Sequence, residues 1–290
     1  VRTDADPNQR MLERYRAVAY GDHPYGRPVI GSMEEIKGLK LEDLKGWYRT
    51  YYAPNNATLV VVGDVELERV EGLVRKYFTS LTPQPKVPRP DLPAMPKREK
   101  AERLEVRDPA TRLPFWIAGY AVPSLAMPKA EEDALALDVL AAVLGGGSTS
   151  RLNQRLVRDL GVAVSVSASY NGFSTSWEQF SLSAMPKPGA DLQELEKVMF
   201  EEVARLIKEP VAERELEKAR NGLIAEQVYS QDSIDRIAWI IGRMSINDLD
   251  WNMMLDDYPK RVRAVTAAAL QSVAARYLRP ERLTVGILKP

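Results

Sequence analysis

Apolar residues recur along this chain with two periods, and the switches between them mark its elements. Leu44, Trp47, Tyr48 and Tyr51 fall three to four apart and predict a helix that Pro54 ends. Asn55-Asn56 make a turn, and the apolar run Ala57–Val62 predicts a buried strand closed by Gly63-Asp64. Farther on, Val162, Val164, Val166, Ala168 and Tyr170 alternate with Ala163, Ser165, Ser167 and Ser169, the pattern of a half-buried strand. Residues 171–176 turn it into a return strand with Phe180, Leu182 and Ala184 on one face. Shorter patterns predict strands over 103–107, 115–122 and 283–288. Helices are expected over 7–20, behind the acidic start Asp4–Asp6, and over 33–38, 67–81, 129–144, 151–160, 191–208 and 211–230. Strands in hairpins with helices grouped after them argue for an α+β fold with a mostly antiparallel sheet.

The helix–proline–strand pattern is written twice. A shift of 226 residues carries Leu44 to Leu270, Tyr51 to Tyr277 and Pro54 to Pro280. Upstream the same shift carries Asp6 to Asp232, Arg10 to Arg236 and Leu39 to Val265. Residues 1–64 thus read as an ungapped second writing of 227–290, which means two related domains rather than a solenoid. The second copy is preceded by a stretch, about 101–226, that the first copy lacks. A lone strand at 57–62 cannot satisfy its backbone groups, so the expectation is a first domain that is incomplete here.

The expected division is 1–81 as the rear of a first domain, 82–98 as a linker with six prolines, and 99–290 as the second domain. Each domain is expected to be a mostly antiparallel sheet with helices on one side. Lys+Arg and Asp+Glu both number 40, so nothing argues for nucleic acid or an anionic membrane. No apolar run is long enough to span a membrane. With no cysteine, disulfides, thiolate catalysis and Cys-ligated zinc are excluded.

The one histidine, His23, sits in a Pro/Gly loop and reads as a surface or loop-packing residue, and one histidine cannot build a His-based zinc site. The run Gly145–Ser150 follows a helix and lacks the Lys-Ser/Thr of a P-loop, so it reads as a flexible turn with Ser148 or Ser150 capping the next helix. The pairs Glu34-Glu35, Glu131-Glu132 and Glu201-Glu202 read as solvated helix faces. Residue by residue, the chain shows a scaffold and no active site.

The stretches HPYGRPVIG and YYAPNNATLVVVGD, and VPSLAMPKAEEDALALDVLAAVLGGGSTSRLNQRLVRDLGVAVSVSASY, resemble the pitrilysin and mitochondrial-processing-peptidase family of zinc metallopeptidases. The resemblance covers nearly the whole chain and is nearest in shape to bacterial two-domain members. It implies a zinc endopeptidase whose metal is held by an inverted His-x-x-Glu-His helix and a later glutamate, with the first glutamate as general base. This chain contains none of these, so zinc is expected in an intact parent and not here. The implied parent degrades or processes peptides in a clamshell of four domains, with substrate added as a strand to a sheet edge.

Many members carry an Arg and a Tyr seven residues apart that contact substrate backbone. Aligned on Gly161, those positions are Val157 and Val164 here, with Arg151 and Arg158 off register. The resemblance then implies a zinc-carrying subunit whose partner subunit supplies the Arg/Tyr pair. Two alternatives stand beside it: a non-catalytic core or assembly subunit of the same family, and a stand-alone interaction module. A bacterial setting is implied, periplasmic before cytoplasmic. Two physical expectations accompany this reading. The chain by itself binds no stoichiometric zinc and cleaves no peptide, and it presents an open apolar patch around Leu59–Val62.

Overall fold

The computed structural model describes residues 6–89, 91–96 and 98–290. Asp4 and Ala5 of the expected acidic helix start, and Pro90 and Lys97 of the proline-rich stretch, lie outside the described residues.

In chain order the elements are α1 (Pro7–Tyr20), α2 (Met33–Gly38), α3 (Leu41–Tyr51), α4 (Leu67–Phe78), β1 (Glu102–Arg107), β2 (Phe115–Val122) and α5 (Glu131–Gly145). A π-helix (Asn153–Asp159) leads into β3 (Ala163–Ser169) and β4 (Glu178–Pro186). Then come α6 (Leu192–Lys208), α7 (Glu213–Ser230), α8 (Ile234–Ser245), α9 (Asn252–Leu255), α10 (Tyr258–Ala264), α11 (Ala267–Tyr277) and β5 (Leu283–Lys289). Local chemistry sets the helix starts. The Asp6 carboxylate accepts the Asn8 N–H at 2.9 Å ahead of Pro7, and Ser32 with Glu35 forms a reciprocal capping box.

The five strands form one sheet in the order β1-β5-β2-β4-β3, with only β1 and β5 parallel. Register separates its two faces. Trp116, Ala118 and Tyr120 stand across from Ala184, Leu182 and Phe180 on one side, and from Ile287, Val285 and Leu283 on the other. Val166 and Ala168 extend this row, and all of these residues are buried. Helix α5 lies on this face, its terminal Gly145 against Ser167 and Ala168. Helix α11 packs in turn on α5 and α6.

The opposite face changes character across the sheet. At β5 and β2 it is dry. Helix α1 lies there, with Met11 and Tyr15 over Gly286, where a Cβ would meet Met11 Cε at 2.5 Å and Tyr15 Cδ2 at 2.8 Å. The Tyr15 hydroxyl donates to Gln179 Oε1 at 3.0 Å. Toward β3 the face becomes hydroxylated: Ser181 and Ser183 of β4, then Ser165, Ser167 and Ser169 of β3. Helices therefore cover both faces, and the expectation of helices on one side is corrected by α1.

The sequence repeat reappears in the element bounds. Shifted by 226, α3 coincides with α11 at both ends, the 3-10 turn Pro54–Asn56 with Pro280–Arg282, and 57–63 with β5. The exception is the strand expected over 57–62. It forms no ladder among the described residues, because strands equivalent to β1 and β2 do not flank it.

The chain separates into two compact units: Val1–Arg27 with Pro93–Glu226 and Asp257–Pro290, and Pro28–Leu92 with Gln227–Asp256. These interleave: one boundary falls within the proline-rich stretch 82–98, between Leu92 and Pro93, and the others fall after Arg27, Glu226 and Asp256. The reason is an exchange of equivalent helices. Helix α1, from the first copy, lies on β5 of the second. Its counterpart α8 belongs with first-copy residues, where Gly242 faces Val60. The two contacts differ in closeness: at Gly286 a Cβ would collide with Met11 and Tyr15, whereas at Gly242 it would meet Val60 Cγ2 at an ordinary 3.8 Å.

Candidate functional site

The segment from Gly145 to Ala168 carries a run of irregular backbone, and both positions singled out from sequence fall in it. Helix α5 ends as Gly145 reaches the β3 backbone, where no larger residue fits. Gly147 then turns at φ +106°, a region that favours glycine. Ser150 stands ahead of the next helix, but its hydroxyl donates back to the Gly147 carbonyl at 2.7 Å rather than capping a helix N–H.

That next helix widens into π geometry from Asn153 to Asp159, a form frequent at functional positions. It sends Arg151 and Arg155 toward α6 and α7. Arg151 grips Glu215 through two hydrogen bonds, at 2.6 and 2.8 Å, and Arg155 Nε stands 3.7 Å from Glu202. Val157 is half-buried on this helix. Of the two off-register arginines, Arg151 is thus committed to a structural ion pair.

Gly161, at φ +63°, turns the chain into β3. The pairing with β4 slips between Ala163 and Ser165: Ala163 opposes Pro186 and Ser165 opposes Met185, which leaves Val164 as the extra residue of a β-bulge. Val164 is therefore half-exposed, whereas Ala163, Val166 and Ala168 are buried. This corrects the strict alternation expected for the strand, in which Val164 shared a face with Val166. The π-helix packs along β3, and the Asn153 amide reaches the Val166 carbonyl at 3.5 Å. The β3 edge is partly occupied from within the chain. At the other edge, β1 carries Glu102, Arg103, Glu105 and Arg107, charges that discourage strand addition.

Two sets of acidic groups were not legible as such. Glu202 was expected in solvent and is buried, accepting from Arg205 Nη1 at 3.1 Å. The signal was present: Leu195, Met199, Glu202 and Leu206 share one helical face. Asp138, on α5, accepts the Tyr258 hydroxyl at 2.7 Å. Burial, with Glu226 nearby, pushes its carboxyl up to about 6. Beside this group lies a cleft of about 340 Å³ lined by Ala142, Gly146, Thr149, Lys218, Gly222 and Glu226.

His23 packs between Tyr20 and Tyr25 and is fully buried. Its Nδ1 accepts the Tyr25 N–H at 3.2 Å, so Nε2 carries the proton toward Ser176 Oγ at 3.3 Å. Both ring nitrogens are engaged, and no group of three His, Asp or Glu among the described residues could hold a metal. These residues do not fit a zinc site. Among the described residues no helix is long and apolar enough to cross a membrane.

The family profile described as "Peptidase M16 inactive domain" matches residues 38–223. The chain belongs to the peptidase M16 family. Zinc protease PqqE of Helicobacter pylori is 30% identical over 292 residues, covering 100% of this chain and 64% of that protein. A probable mitochondrial-processing peptidase subunit beta of Arabidopsis thaliana is 25% identical, covering 99% of this chain and 54% of that one. This M16 chain thus spans less than two thirds of either relative. The crystal structure of a protease from Helicobacter pylori superposes with a TM-score of 0.90 at 28% identity, covering 100% of this chain and 68% of that one. A peptidase M16 inactive domain from Pseudomonas fluorescens has the same fold, with a TM-score of 0.85 at 19% identity, covering 100% of this chain and 67% of that one.

Proposed function

We propose that this M16 chain is the C-terminal portion of a zinc-dependent endopeptidase that encloses peptides in a clamshell formed with a partner subunit. The observation that carries the reading is its likeness over its whole length to a zinc protease at 30% identity. In this reading residues 1–81 are the rear of the metal-site domain, 82–98 the connector and 99–290 the second domain. Zinc and its general base belong to the intact parent. The 290-residue chain alone has no peptidase activity.

Val157 and Val164 stand where the family's substrate-contacting Arg/Tyr pair would be, and neither valine can hydrogen-bond a peptide backbone through its side chain. The partner subunit therefore supplies that pair. The commitment of Arg151 to Glu215 supports this, since Arg151 is not available to substitute. A bacterial periplasmic setting is proposed before a cytoplasmic one; the cysteine-free composition is compatible with both.

A second reading, a non-catalytic core or assembly subunit, is favoured by the match to an inactive-domain profile together with valine at both positions. One experiment separates the two. The coding sequence ahead of Val1 is read and the extended chain is purified with and without its co-purifying partner. The peptidase reading expects His-x-x-Glu-His, one zinc per extended chain, and cleavage of quenched fluorescent peptides with the partner present. A degenerate motif with zinc on the partner selects the assembly reading.

A further inference from the structure

The cleft between α5 and α7 lies wholly within one compact unit. Its volume, about 340 Å³, is at the lower end of the range for small-molecule sites, about 300–1,000 Å³. Ala142 and Val143 line it from α5, Ala219 and Gly222 from α7. Its two ends carry opposite charge. At one end Lys218 donates to Thr149 Oγ1 and meets no carboxylate among the described residues. Glu215, one turn earlier, is already held by Arg151. At the other end stands Glu226, and Asp138 of α5 lies behind it, one turn before Ala142. Tyr258 donates to one Asp138 oxygen; neither the second oxygen nor Glu226 has a donor among the described residues. Elsewhere in this helical layer carboxylates are matched: Glu131 by Arg261, Asp133 by Arg276 and Glu202 by Arg205. Removing a carboxylate from water is costly unless a cation meets it, so the Asp138 end of the cleft is built to be completed by one.

We propose that the α5–α7 cleft binds a short peptide with both ends free, its ammonium at Asp138 and Glu226 and its carboxylate at Lys218 and Thr149. Spacing sets the length. Lys218 and Glu226 are eight residues apart on α7, about 12 Å at about 1.5 Å per residue. An extended tripeptide spans about 10 Å, and the reach of the two side chains closes the difference. Charge sets the class. Lys218 repels the second cation of a diamine, and Glu226 repels the second anion of a dicarboxylate, so the pattern selects a zwitterion. Walls of alanine and glycine leave room for a peptide with small side chains, and the polar rim, Thr149 among it, serves its amide groups. This rests on the cleft and its charges, not on the peptidase reading.

Isothermal titration of the 290-residue chain with tri-alanine, at neutral pH and with a chelator present, tests it. The expected dissociation constant is below about 1 mM. N-acetyl-tri-alanine and tri-alanine amide, each lacking one end charge, bind at least about tenfold more weakly. Glu226→Gln weakens tri-alanine by about tenfold or more and leaves the acetylated peptide as weak as before. Lys218→Met does the same with respect to the amide. Gly222→Leu fills the cleft without altering charge, at a position where nothing stands within 4 Å of the new Cβ, and abolishes binding while the unfolding midpoint is kept. Absence of binding by tri-alanine overturns the proposal, as does equal binding of the blocked peptides. Full tri-alanine affinity in Gly222→Leu, or in both charge variants, places the peptide elsewhere on the chain and overturns it too. Because the chelator removes zinc from every arm, none of these results depends on whether the parent is a peptidase.

Discussion

Gly145, the last residue of α5, lies so close to Ser167 that a Cβ on it would stand 2.7 Å from the Ser167 carbonyl carbon. Backbone cannot yield as the tip of a side chain can. Gly145→Ala should lower stability by about 3 kcal/mol or prevent folding, read from urea unfolding. Gly222, within α7, has nothing within 4 Å of where a Cβ would go, so Gly222→Ala should stabilise by about 0.5–1 kcal/mol. The pair separates the steric role of the first glycine from a general effect of helix propensity.

Asp138 should give the chain an inverted carboxylate response. Its folded-state value near 6, against an ordinary 3.8, means that the unfolded chain ionises first as pH rises. The cost is absent below about pH 3.8, grows through pH 6 and then saturates, at up to about 3 kcal/mol. Asp138→Asn keeps an acceptor for Tyr258 and removes the charge. It should raise stability at pH 7.5 by about 1–3 kcal/mol, with the gain gone by about pH 4. Equal effects at both pH values would defeat the assignment.

His23 acts in the opposite sense. Burial lowers its basicity below the ordinary 6.5, and protonation would put a proton on the Nδ1 that accepts from Tyr25. Folded chain therefore takes up a proton less readily than unfolded chain. Stability should be full above about pH 6.5 and decline below it. In an Asp138→Asn background, where the competing titration is gone, His23→Gln should flatten the slope between pH 5 and 6.5. His23 is the chain's single histidine, so no other imidazole confuses the reading.

Arg151 offers a check on its assignment as structure rather than substrate contact. Its fork meets both Glu215 oxygens, which lysine cannot reproduce. Arg151→Lys should cost about 1–2 kcal/mol in denaturant unfolding. An unchanged unfolding midpoint would return Arg151 to the list of candidate peptide contacts.

Much of this was written in the sequence. The bounds of β2 and the start of β5 follow from apolar runs and flanking prolines, and the 226-residue offset anticipated α3 and α11 residue for residue. What escaped was set by distant partners. The run 57–62 has strand character, but a strand is defined by its neighbours, and none is present among the described residues. The Val164 bulge depends on how β3 meets Pro186 and Met185, which period-two alternation does not encode. Glu202 is buried because it shares the apolar face of α6 with Leu195, Met199 and Leu206, where Arg205 meets its charge.

The exchange of α1 and α8 means that neither sheet-forming region is a contiguous stretch of chain. A protein engineer who severed this polypeptide at its proline-rich stretch, where excision looks safest, would strip α1 from Gly286 and lay open the apolar floor beneath it. Duplication followed by such barter makes the two halves mutually dependent during evolution: a new side chain at Met11 must be tolerated by a strand nearly three hundred positions away along the chain.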